Sequence, residues 1–145
     1  MNQVIVPIIT AIVGAVVGAL SMYAISQLNR RRRLAEVLAA LRYEIEANVE
    51  WLDSVFKSLN YLRDEAWRTV KNEGYILYLD PPIPLMITGV YDRVHALNQR
   101  IKIIRELPDD ARTNAIADSE QIRCELKQKS ALLMVELDKH KLMKR

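Results

Sequence analysis

The stretch VIVPIITAIVGAVVGALSMYAISQL (residues 4–28), followed after Asn29 by Arg30, Arg31, Arg32 and Arg33, decides how the rest of the chain is read. It holds 25 residues and no charged side chain. A helix rises about 1.5 Å per residue, so this one reaches roughly 37 Å, against a hydrocarbon core of about 30 Å. The expectation is a membrane anchor over residues 1–29 and a body over residues 30–145 held at the membrane surface.

All 21 basic and 18 acidic residues of the 145 fall at or after Arg30. The mean hydropathy near zero therefore averages an apolar anchor with a highly charged body. Ahead of the apolar run, Met1, Asn2 and Gln3 carry no positive side chain, and the run is longer than the usual core of a cleaved signal, so a retained anchor is expected. The four arginines lie where a stop-transfer flank belongs. By the positive-inside rule they keep their side in the cytoplasm, which puts the N-terminus outside and the body in the cytosol at the cell membrane. They also suit anionic headgroups of the bilayer.

Gly14 and Gly18 form a GxxxG pair within the apolar run, flanked at the same spacing by Ala11, Ala15 and Ala19. Small residues in such rows let two membrane helices approach closely and pack without a hydrophobic drive. A homo-oligomer packed through this face is the expectation.

Beyond the arginines, apolar residues recur at 34, 38, 41, 45, 52, 55, 59, 62 and 66, in steps of three and four, with Asn48 in the one polar slot. No Gly or Pro interrupts the run before Gly74, a natural C-terminal cap. The pattern predicts one coiled-coil-like helix over about residues 30–73. It is narrow at Leu34, Leu38, Leu41 and Ile45, and wider farther on, where Val49, Phe56 and Val70 flank it and Trp51 and Trp67 add surface.

The segment GYILYLDPPIP (residues 74–84) cannot continue a helix, because its prolines remove donors and restrict their neighbours. Tyr75, Ile76, Leu77, Tyr78 and Leu79 are too apolar for a free loop. They fit a cap over the end of the bundle, with a partner surface as the alternative. A second helix is expected over about residues 84–107, with Ile87, Val90, Val94, Leu97, Ile101 and Ile104 on one face, ended by Pro108. A third is expected over about 110–143, capped by Asp109 or Asp110, carrying Ile122, Leu126, Leu133 and Leu137, and weak around Asn114, Ala117, Asp118 and Ser119. Short connections make neighbours antiparallel. The fold class expected is all-α, an anchor helix followed by an antiparallel three-helix bundle with a long first helix.

A return helix of about 24 residues covers only the far part of a first helix of about 43. The stalk residues Leu34, Leu38, Leu41, Ile45 and Asn48 are therefore expected to face another copy, with Asn48 either fixing the register or capped or solvated where the seam begins to splay.

Chemistry-bearing residues are sparse. Glu46, Glu50 and Asp53 share a helix face, but Arg42 and Lys57 at spacing four make them ordinary surface pairs. Asp92 and His95 have the spacing of a carboxylate-bridged metal motif without the second motif it requires, since His140 lies in the basic tail. That tail, residues 139–145, complements the helix C-terminal dipole. Cys124 stands alone, which excludes an internal disulfide and fits a reducing compartment. No phosphate loop, nucleophile elbow or dinucleotide fingerprint occurs. No cofactor and no metal are implied, the net charge of +3 is too local to argue for nucleic acid, and a non-enzyme is expected.

Leu41, Glu44, Ile45, Asn48 and Leu52 within LRYEIEANVEWL, together with Trp67, Gly74, Tyr91 and Asn98, carry a resemblance to uncharacterised prokaryotic single-pass membrane proteins with a cytosolic all-helical domain. It covers most of residues 30–105 and implies architecture, with no activity attached. Function is then expected to be that of a self-associating membrane scaffold or adaptor presenting its bundle to a cytosolic protein partner. The alternative is a membrane effector or sensor, in which a cytosolic ligand such as a nucleotide, bound between copies, rearranges the membrane helices.

Overall fold

The computed structural model describes residues 2–143, with side chains described for residues 10–139. Lys144 and Arg145, and the side chain of His140, lie outside the described residues. The chain is all-helical, with no strand among the described residues, and it forms two compact units, Met1–Glu36 and Val37–Arg145.

Helix α1 runs Asn2–Trp51 and is long and apolar enough in its N-terminal part to cross a membrane. In the first unit every described side chain from Thr10 to Ser26 is exposed, including Ile12, Val16, Leu20 and Ile25. Lipid is the solvent that suits such a surface, since water would charge about 25 cal/mol for each Å² of it.

The second unit contains the core. After α1 come a one-turn helix α2 (Val55–Ser58), helix α3 (Glu65–Asn72), a 3-10 turn (Tyr75–Tyr78), helix α4 (Ile83–Glu106) and helix α5 (Asp109–Met143). On α4 the six residues expected to face inward, from Ile87 to Ile104, are all buried, joined by Ile83 and Tyr91. On α5 Leu126, Leu133 and Leu137 are buried while Ile122 is only half-buried. The weak start expected for this helix is corrected. It is helical from Asp109, and Ser119 is fully buried, its hydroxyl donating to the Ala115 carbonyl at 2.7 Å. Asp109 and Asp110 sit in its first turn, where carboxylates complement the helix dipole, rather than at the cap.

The largest correction concerns the first helix. The single rod expected over residues 30–73 is broken between Trp51 and Glu65. Leu59 ends α2 in the left-handed region at φ 52, and residues 59–64 then run without helix. We call this segment the strap. Sidedness alternates along it: Tyr61 and Arg63 are exposed while Leu62 is buried. That is the period of two of extended chain, and it happens to place Leu62 where a heptad also would.

The break changes what covers α1. Val37, Leu41, Ile45 and Leu52 are buried within the second unit, as are Glu44 and Asn48. The expectation that residues up to 48 lack an intrachain partner is therefore overturned for Leu41, Ile45 and Asn48; Leu34 and Leu38 are half-buried. The strap and α3 fold back against α1, with Arg63 bonded to Asn48 and Ala66 to Glu44, and the far end of the chain adds to this. α5 is 35 residues long and its late turns reach α1, where Arg42 forms an ion pair with Asp138.

Candidate functional site

The polar groups of the second unit converge on the strap and the start of α3. Residues 59–64 have left the helix, so their main-chain donors and acceptors need partners from elsewhere. Asn48 on α1 supplies two of them. Its Nδ2 donates to the Arg63 carbonyl and its Oδ1 accepts from the Arg63 N–H, both at 2.8 Å. From α4, Asn98 does the same for Leu62, its Oδ1 accepting from the N–H at 2.8 Å and its Nδ2 donating to the carbonyl at 2.9 Å. The Arg105 guanidinium donates to the Leu59 carbonyl through Nε at 2.8 Å and through Nη2. Two consecutive residues are thus clamped from two helices by side-chain amides, each amide using one donor and one acceptor as a neighbouring strand would.

Glu44 completes the arrangement. It is 5% exposed, and its Oε2 accepts the Ala66 N–H at 2.9 Å in the first turn of α3. The α3 cap residue Asp64 makes no capping bond of its own and instead binds Arg68, so Glu44 caps α3 from another helix. The other oxygen of Glu44 accepts the Tyr91 hydroxyl at 2.5 Å. Burial, and next to it the hydrogen bond to the Glu44 carboxylate, hold the Tyr91 phenol protonated well above its ordinary range. Trp67 of α3 stacks on the Tyr91 ring, centroids 5.3 Å apart and planes 11° from parallel. On the outer side, Arg63 lies over Trp51 at 5.1 Å and Arg105 over Tyr61 at 4.4 Å.

Models of protein families, curated proteins and solved structures provide no match to this chain.

Most residues that carry the resemblance stated above meet here: Glu44, Asn48, Trp67, Tyr91 and Asn98. Asn48 does not offer its amide to another copy, because both ends are already bonded within the chain. Glu44 escaped direct reading, since an acidic residue on a charged helix looks like surface. The available signal was its place beside Ile45 and one turn from Leu41 and Asn48, on the buried face.

The other candidate residues are dispersed. Arg42 Nε binds Glu46 at 3.0 Å, as its spacing implies, and with Asp138 as its first partner the guanidinium is held charged even more firmly than usual. Asp53 lies 3.7 Å from Arg123 and 3.6 Å from Lys127 on α5, beyond hydrogen-bond range and in place of the expected Lys57. Asp92, His95 and Cys124 are exposed, and among the described residues no group of three metal-ligating side chains forms.

In the first unit, a Cβ added at Gly14 or Gly18 would meet nothing within 4 Å, and Ala11, Ala15 and Ala19 are equally exposed. Arg30, Arg31 and Arg32 are exposed, and Arg33 binds Glu36 at 3.3 Å. The apolar segment after α3 divides. Gly74, at φ 70, closes α3 with its N–H on the Lys71 carbonyl, a conformation that favours glycine. Leu79 is buried, Tyr75 and Ile76 are half-buried, and Leu77 and Tyr78 face out, Leu77 at 82% exposure.

Proposed function

We propose that this chain is a single-span membrane scaffold or adaptor, with no enzymatic role, that self-associates through the small-residue face of α1 and displays its helical body in the cytosol to a protein partner. The observation that carries the reading is the open, exposed row of Gly14 and Gly18 within the uncharged part of α1. In a bilayer that row is the place where a second helix backbone approaches most closely. The arginines from Arg30 onward set the orientation and bind anionic headgroups. Of the stalk residues, Leu34 and Leu38 remain to support the contact between copies.

The body, in this reading, is an antiparallel bundle of four runs rather than three helices. Residue pairs with opposed numbering support it: Glu44 with Ala66 and Asn48 with Arg63 for the first two runs, and, for α4 and α5, Arg93 with Glu125 at 2.8 Å and Gly89 beside Lys129. The strap and α3 together form the second run. With Glu44, Asn48, Asn98 and Tyr91 committed to holding this run in place, the polar interior serves construction, which suits a presented surface better than a reaction.

The test is the oligomeric state of full-length protein in nanodiscs over a range of concentrations. The unmodified chain is expected to associate, and Gly14→Ile with Gly18→Ile to dissociate it while helicity is kept. A monomer throughout, or an oligomer indifferent to the double substitution, removes the proposed interface.

A further inference from the structure

Pattern and fold disagree most over residues 52–64, and the disagreement is informative. The apolar positions 45, 52, 55, 59, 62 and 66 keep their steps of three and four straight through the break, with no Gly or Pro among residues 34–73. The same residues therefore also fit one continuous helix, in which Leu52, Val55, Leu59, Leu62 and Ala66 share a face with Leu41 and Ile45. Even the serines of the turn suit it. Ser54 Oγ donates to the Trp51 carbonyl and Ser58 Oγ to the Ser54 carbonyl, back-bonds to the third and fourth preceding residues that persist in a helix.

The observed, folded-back form is held by side-chain bonds to main chain from Glu44, Asn48, Asn98 and Arg105, and by the burial of Leu52, Val55, Leu62 and Val70. Against it stands Leu59 at φ 52, a left-handed conformation that a branched side chain resists and that a continuous helix would release. Released from the strap, Glu44, Asn48 and Asn98 would be free to bond water, so opening does not strand them.

We propose that residues 52–64 are a conformational latch. Closed, the strap lies in the two-asparagine clamp. Open, α1 and α3 join into one helix and the apolar face from Leu41 to Ala66 becomes a single uncovered stripe. Two arrangements of one segment, distinguished by side-chain bonds at identifiable positions and by burial of the stripe from Leu41 to Leu62, are the condition for a switch, and any partner that binds one of them better shifts the balance. The latch does not depend on self-association of the span.

The two forms differ in a distance. Glu44 and Ala66 are hydrogen-bonded when closed. In a continuous helix, sites 22 residues apart are separated by about 33 Å. Spin labels on Tyr43→Cys and Glu65→Cys, both exposed positions, in full-length Cys124→Ser protein in nanodiscs, read that distance by electron–electron resonance. Combining Asn48→Ala with Asn98→Ala is expected to move population from the short distance to a peak near 33 Å with helical circular dichroism kept or raised. A distribution that stays short, or one that becomes broad while helicity falls, overturns the latch. Leu59→Gly acts in the opposite sense, relieving the closed form and weakening the open helix, and decides the matter if the double variant fails to fold. Amide exchange at Leu62 and Arg63 is expected to slow by about fivefold. Unchanged or faster exchange there overturns the proposal.

Discussion

Residues 10–28 of α1 and residues 37–51 of the same helix use their side chains in opposite ways. The first stretch exposes Val13, Val17, Leu20 and Ile25 and carries no charge. The second buries a carboxylate and an amide, Glu44 and Asn48, beside Leu41 and Ile45, while Tyr43 and Glu46 face out. On the membrane-spanning reading proposed above, one backbone geometry serves two solvents. In lipid an apolar exterior is neutral and backbone satisfaction must be internal, which an unbroken helix provides. In water the body must bury apolar area, and it can afford polar groups inside only where each has a partner.

The most severe way to break this contrast is to remove core volume. Leu41 is fully buried, so Leu41→Ala should destabilise the body by about 3 kcal/mol, read as a lowered denaturation midpoint by tryptophan fluorescence in detergent. Leu20→Ala makes the same chemical change on an exposed site of the first unit and should leave that midpoint in place. Equal effects would show that the two stretches are not differently solvated.

A smaller effect sharpens the polar side of the comparison. The Tyr91 phenol is held protonated above its unfolded value of about 10, chiefly by burial. A group whose folded pKa is raised contributes stability that is complete below the unfolded value and declines above it. The body should therefore lose stability progressively above about pH 10, and Tyr91→Phe should flatten that decline although it starts from a less stable protein. An alkaline limb that is unchanged in Tyr91→Phe would assign the loss to other groups. Smallest of all is Arg42→Ala. Its partners Asp138 and Glu46 are both solvated, so the cost should not exceed about 0.5 kcal/mol by the same denaturation measurement.

How far sequence carries such a chain is clear from particular residues. The uncharged run, the face of α4 from Ile87 to Ile104 and the buried leucines of α5 are legible because one period of 3.6 repeats over several turns without competition. The strap is not legible in that way. Leu62 satisfies a heptad step and an alternating strand equally, so contacts distant in sequence, with Asn48, Asn98 and Arg105, select the break. Glu44 was hidden for a related reason. Its burial is set by Ala66 and Tyr91, and no spacing within α1 announces either partner. The cover on residues 41–48 was hidden likewise, since it comes from residues 63–66 folding back and from a late turn of α5 at Asp138.

Because the strap is gripped by its main chain, the constraint on its sequence falls on the helices that hold it. Tyr61 and Arg63 point outward and meet Arg105 and Trp51 at the surface, so their identities are less constrained, and with them whatever the outer surface says to a neighbour. Asn48 and Asn98 are more constrained, since each places an amide donor on a carbonyl and an amide acceptor on an N–H of the same residue. The fold therefore separates the residues that can diversify from those that must stay, and it places the variable ones in a short segment that a few substitutions could rewrite.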